Sequence, residues 1–206
     1  MTNRLETNDV RRLLDAVAAK TPTPGGGAVA SMVGALGAAL AQMVVNYSIG
    51  KKKLAEYESD LCEAIAQCQR ARSAMLELAH EDAEAYAALN ELSKLPVDDT
   101  RRKTEMPVAA ALASQAPMTT AAGAMTLLRL FDSLTEKTNP YLKSDLAIAA
   151  ILASATVRTS AQNVRVNLPT MREVGLGRRA DELAIEIDVL VAGAGELESR
   201  IVAACS

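Results

Sequence analysis

Aromatic side chains are scarce in this chain: four tyrosines, one phenylalanine and no tryptophan, 2% of 206 residues. Half of the residues are hydrophobic all the same, with alanine heavily used. That balance suits closely packed helices better than strands, which favour bulky and β-branched residues. An all-α fold is expected. Histidine occurs once, as His80, and Cys62, Cys68 and Cys205 form no metal-ligand pair at short spacing. A zinc site or a Ser-His-Asp triad is therefore not expected, and an odd number of cysteines argues against a complete disulfide framework. Neither a metal nor a cofactor is called for. A surplus of charge is also lacking: the net charge is −3 with acidic and basic residues interleaved. The pattern offers no basic face for nucleic acid and no surface for acidic lipid. The N-terminus lacks the basic, apolar, small-residue order of a signal peptide, which makes a cytoplasmic protein the expectation. The length suits one domain, residues 1–206, with a sizeable core.

The stretch that organises the chain is Thr21 to Lys53, TPTPGGGAVASMVGALGAALAQMVVNYSIGKKK. It reads as a loop feeding a helix. Gly25, Gly26 and Gly27 leave the backbone free to take positive φ and to meet another surface closely, while Pro22 and Pro24 stiffen the approach. A short glycine run is by itself a weak ligand signal and serves equally as a plain turn. In the helix that follows, Ala30, Gly34 and Ala38 recur every four positions, a spacing that lets a neighbouring helix come near. Met32, Val33, Leu36, Leu40, Met43 and Val44 fill around them, so the helix is expected to be buried on nearly all sides. Ala28 to Val45 is eighteen residues without a charge. That is the lower limit for a membrane span, and the dominance of alanine and glycine, with Ser31 and Gln42 inside, speaks against one.

Proline and glycine are absent from Lys51 to Leu92, which allows one helix of the whole length. Alternate steps of three and four from Leu54 give Tyr57, Leu61, Ala64, Cys68, Ala71, Met75, Leu78, Asp82, Ala85, Leu89 and Leu92. These make a heptad seam in which Asp82 is the exception. A carboxylate on an inner seam needs a partner or a ligand, and burial raises its pKa. A drift of register that turns Asp82 to solvent is the plain alternative. His80 and Glu81 should face outward.

Before this stretch, Asn8 or Asp9 caps a first helix through Leu13, Leu14 and Val17 to Lys20. After Leu95-Pro96 a polar connector, Val97 to Lys103, leads to an alanine-rich helix from Thr104 to Leu134. Pro117 should break or kink that helix, or divide it in two, and its function is packing through Met118, Met125, Leu127, Leu128, Leu130 and Phe131. Asn139-Pro140 reads as a turn; Ser144 can cap the next helix, with Asp145 in its first turn where the dipole favours negative charge. A last helix from Gly177 or Arg178 to Ala204 points Leu183, Ile187, Leu190, Val191, Leu197 and Ile201 to the core. The expected whole is a bundle of five to six long antiparallel helices, one kinked by proline, whose small-residue faces suggest a homodimer.

Several of these segments together resemble one family. Pro24-Gly25-Gly26-Gly27, the run Gly34 to Leu40, Met43-Val44 and Ile49-Gly50-Lys51-Lys52-Lys53 are similar to the opening signature of the formiminotransferase-cyclodeaminase C-terminal domain family. That family includes free-standing methenyltetrahydrofolate cyclohydrolases. Asp82-Ala83-Glu84-Ala85-Tyr86, Asn139, Ser144-Asp145 and Asn163-Val164-Arg165-Val166-Asn167 continue the resemblance. Two departures are Thr138, where the family has glycine, and Tyr141.

The resemblance implies a small-molecule folate substrate. Gly25, Gly26, Gly27, Asn46, Asn139, Ser144, Asp145 and Asn163 are then substrate-binding candidates, and Asp82 with one of Lys51, Lys52 and Lys53 the catalytic ones. A carboxylate can accept the paired N–H donors of a pterin edge, and the lysines suit a glutamate tail. Three cations at a helix start oppose its dipole and need some such reason. In cyclohydrolysis water attacks the methenyl carbon and the ring opens to 10-formyltetrahydrofolate. Asp82 would take the water's proton or orient it, a lysine would donate one, and Asp145 with Asn139 would contact pterin or water. Formimidoyltetrahydrofolate cyclodeamination, which forms the same carbon centre and releases ammonia, is the enzymatic alternative. A non-catalytic folate-binding bundle is the other.

Overall fold

The computed structural model describes residues 10–206. Six α-helices and two short 3-10 turns follow one another with no strand among the described residues: α1 Val10–Ala18, α2 Gly26–Asn46, α3 Glu58–Ser93, α4 Thr100–Leu134, α5 Lys143–Glu173 and α6 Gly177–Cys205. The 3-10 turns are Lys52–Tyr57 and Pro140–Leu142. The expected all-α bundle is thus present, with five long helices and a short first one. The proposed Asn8 or Asp9 cap lies outside the described residues; α1 ends at Ala18, two residues short of Lys20, and buries no residue.

Helix α2 is the hub, packed on α3 and α5. Gly34 shows why its residues are small: a Cβ there would stand 3.1 Å from both the Met75 sulfur of α3 and a Thr156 methyl of α5. Any larger side chain would push one of the two helices away. Contacts of Gly27 with Asp82, Gly26 with Asn163 and Gly37 with Ala149 set both neighbours antiparallel to α2. The small face is therefore spent inside the chain, and α2 is not buried all round. Met32, Val33, Leu40 and Met43 are half-buried, and Leu36 is 64% exposed.

The seam along α3 follows the heptad. Leu54, Leu61, Ala64, Cys68, Met75, Leu78, Leu89 and Leu92 are buried; Tyr57, Ala71, Asp82 and Ala85 are half-buried. The long helix starts at Glu58, because Lys52–Tyr57 winds as a 3-10 turn after Gly50, whose φ of 73° marks the left-handed bend out of α2.

Helix α4 starts earlier than expected, capped by Asp99, which accepts the Arg102 N–H at 3.0 Å. It runs without interruption through Pro107 and Pro117; it is neither broken nor divided. Proline 117 deprives the Ala113 carbonyl of its helical donor, and the Asn167 side-chain amide supplies the bond instead, at 2.8 Å. Helix α5 also differs at its start. Asn139 accepts the Tyr141 N–H at 3.3 Å and begins the 3-10 turn that continues into α5, so Ser144 sits within the first turn and caps nothing. The core residues expected of α4 and α6 are buried, apart from Leu130, Leu190 and Val191 at the edge.

Candidate active site

The first turn of α2 has no side chain of its own to cap it. Gly25 is the N-cap residue, with φ −111°, and none of the three glycines has positive φ; among the described residues only Gly50 and Gly175 do. What the run provides is bareness, because the first turn of a helix carries unpaired N–H groups and here another helix reaches them. The carboxylate of Asp82, on α3, lies directly over Gly27, where a Cβ would overlap it, and accepts the Ala28 N–H. Asp82 thus caps α2 from across the bundle. Burial pushes its carboxyl above the ordinary aspartate range, partly countered by the Ala28 hydrogen bond; the positive end of the α2 dipole also favours the anion.

Around this contact is a cleft of about 220 Å³, lined by Pro22, Thr23, the three glycines, Asp82, Tyr86, Ala113, Asn163, Val166 and Asn167. The Thr23–Pro24 peptide in its rim is cis. Asn163 faces Gly26, its amide bonded to the Thr159 carbonyl at 3.3 Å. The Asn167 amide bonds the Asn163 carbonyl at 3.0 Å as well as that of Ala113. The site thus offers a half-buried carboxylate, an adjoining amide and bare helix N–H groups. That set can orient a water and accept its proton beside a planar ligand. Tyr86 was not singled out as a site residue, although its position one turn beyond Asp82 puts it on the same face.

The structure brings Asp82, Gly25, Gly26, Gly27 and Asn163 together, and it leaves the other candidates at the far end. Helix α2, with 21 residues, is about 30 Å long and holds the two groups apart. Asn46 ends it, and Lys51, Lys52 and Lys53 follow, all exposed. Asn139 is buried beside them: its N–H donates to the Ser48 hydroxyl at 2.9 Å, which in turn donates to the Val44 carbonyl at 2.7 Å. Ser144 is exposed and Asp145 half-buried on the first turn of α5. Thr138 is buried and bonds the Leu134 carbonyl, while Tyr141 is 89% exposed. His80 is half-buried and within 3.3 Å of Glu84; Glu81 is exposed. Among the described residues no three His, Cys, Asp or Glu side chains group as a metal site.

The family model of formiminotransferase-cyclodeaminase matches residues 9–182. The chain is 34% identical over 198 residues to a methenyltetrahydrofolate cyclohydrolase of Methylorubrum extorquens, covering 93% of each. It is 30% identical over 168 residues to the formimidoyltransferase-cyclodeaminase of Gallus gallus, where the match takes in 80% of this chain and 31% of that protein. In structure it resembles the formiminotetrahydrofolate cyclodeaminase of Thermotoga maritima, with a TM-score of 0.85 at 28% identity over 97% of this chain and 98% of that one.

Proposed function

The chain belongs to the formiminotransferase-cyclodeaminase family, and from that premise we propose that it is a methenyltetrahydrofolate cyclohydrolase, an enzyme of folate one-carbon chemistry. The observation that carries the chemistry is the Asp82 carboxylate held over Gly27 at the start of α2, inside a cleft shared with Asn163. Its pKa, raised by burial, makes it a stronger base than a free aspartate, which favours taking a proton from water. A water held by Asp82 adds to the cationic methenyl carbon while its proton passes to the carboxylate. The ring then opens as the adduct hydroxyl gives up its proton and becomes the formyl C=O, one carbon–nitrogen bond breaks and the departing nitrogen takes up a proton, leaving the formyl group on the other nitrogen. Asn163 and the bare N–H groups of α2 hold the pterin edge or the adduct oxygen.

The proton donor is a lysine among Lys51, Lys52 and Lys53, and Asn46, Asn139, Ser144 and Asp145 complete the binding surface. The enzyme is cytoplasmic and homodimeric and needs no metal. Similarity across 93% of both this chain and a relative named as a methenyltetrahydrofolate cyclohydrolase favours ring opening over cyclodeamination. Purified protein supplied separately with 5,10-methenyltetrahydrofolate and 5-formimidoyltetrahydrofolate tests the choice: faster loss of the methenyl chromophore is expected, and ammonia release from the second substrate alone would contradict it.

A further inference from the structure

The structural task of Asn167 uses only half of its side chain. Its amide nitrogen donates to the Ala113 carbonyl at 2.8 Å and to the Asn163 carbonyl at 3.0 Å, which employs both N–H groups. A flipped amide would set its oxygen against two carbonyl oxygens, so the orientation is fixed. The oxygen, Oδ1, is left over, with no donor among the described residues. The buried side-chain polar atoms without a partner there are Gln42 Oε1, Ser154 Oγ and Ser160 Oγ. The free oxygen of Asn167 is therefore open to solvent, in a residue that lines the cleft at Asp82.

Asn163 repeats the pattern one helical turn earlier, about 6 Å away along α5. Its amide donates to the Thr159 carbonyl at 3.3 Å, while its Oδ1 is turned to Gly26 and takes no hydrogen bond from the described residues. With the Asp82 carboxylate, the cleft holds three side-chain acceptors in reach of one ligand. Among the described residues that line it, none is lysine or arginine. Such a wall repels the carboxylates of a glutamate tail and wants N–H donors, since an acceptor covered by a ligand without a donor is costly. Tyr86 on α3 and Val166 on α5, next in sequence to Asn167, line the same cleft at 46% and 68% exposure. They offer apolar surface to the faces of a flat ring whose edge meets the acceptors.

We propose that Asn167 is a further substrate-binding residue, whose Oδ1 accepts an N–H of the exocyclic amino group on the pyrimidine ring of the reduced folate. The pterin then lies along α5, its amino end at Asn167 and its methenyl end at Asp82, with Asn163 between them. One side chain joins scaffold and specificity, because the bonds that hold Ala113 and Asn163 also aim the oxygen that reads the ligand. This assignment deepens the folate reading above and rests on it.

The test compares tetrahydrofolate with its 2-desamino-2-methyl counterpart, which lacks the amino group; neither compound reacts. Titration calorimetry on the wild type should find tetrahydrofolate bound about tenfold or more tighter, as for a site built to receive an N–H. Pro117→Ala supplies the background for the variant, because there the Ala113 carbonyl has a helix donor of its own. That single variant should keep the preference. Adding Asn167→Leu, near asparagine in shape but without an acceptor, should abolish it, and KM for methenyltetrahydrofolate should rise while kcat falls far less. A cleft that had only loosened would weaken both compounds alike and leave their ratio unchanged; that result overturns the assignment. So does a wild type that binds the two compounds equally, and if it still hydrolyses methenyltetrahydrofolate the cyclohydrolase reading stands alone. A wild type that shows the preference but turns over nothing removes the cyclohydrolase reading and leaves Asn167 in its role. A chain that binds neither compound overturns both.

Discussion

The Asp82 carboxylate occupies the space that a side chain at residue 27 would need, so the two residues are a matched pair on different helices. Replacing Gly27 with alanine should therefore act on Asp82. Alanine is the better helix former by about 1 kcal/mol, yet its Cβ forces the carboxylate off the α2 terminus. Gly27→Ala should lose tenfold or more in kcat, about the scale expected when a catalytic group is misplaced by an ångström. Gly26→Ala, whose Cβ would lie 3.5 Å from the Asn163 Oδ1, should melt within a few degrees of the wild type. Calorimetry and initial rates on both variants check this.

The raised pKa of Asp82 sets the sign of two pH effects. The base must be ionised, so kcat should climb with pH through a value above the ordinary carboxylate range. A carboxyl with a higher pKa folded than unfolded favours the folded state while protonated. That contribution is present below the unfolded value and is lost as pH rises through the folded one. The Tm of Asp82→Asn should thus rise relative to wild type as pH increases across that window, the amide oxygen still accepting the Ala28 N–H. Thermal melts of both proteins across the acid range provide the test.

Asn167 and Pro117 form a second matched pair. The amide of Asn167 replaces the helix donor that Pro117 lacks, bonding the carbonyl of buried Ala113. Asn167→Ala should cost about 1–3 kcal/mol, as expected for a buried carbonyl left without a donor. In a Pro117→Ala background the helix regains its own N–H, so the same substitution should cost much less. A double-mutant cycle by urea unfolding measures the coupling; strict additivity would contradict it.

The helices were legible in the sequence because their signals are local and repeated. The three-and-four spacing along α3 put Asp82 on the seam but left a drift of register toward solvent open, and the family resemblance favoured the inward side; the cores of α4 and α6 followed from the same periodicity. What was not legible depended on which helix lies against which. The glycines suggested positive φ, but the fold uses Gly27 for its missing side chain, which only the approach of α3 reveals. Pro117 suggested a break, because the compensating donor stands fifty residues later. The separation of Asp82 from Lys51–Lys53 follows from the rigid length of α2 once its bounds are known. The family signature joined residues that one chain keeps at opposite ends.

The most direct measurement is the rate of methenyl absorbance loss with purified Asp82→Asn beside the wild type, each shown folded by circular dichroism. The account predicts a loss of about 10²–10⁴ in kcat, the usual contribution of a general base, with helical content preserved. A folded Asp82→Asn that hydrolyses the substrate at the wild-type rate would contradict it.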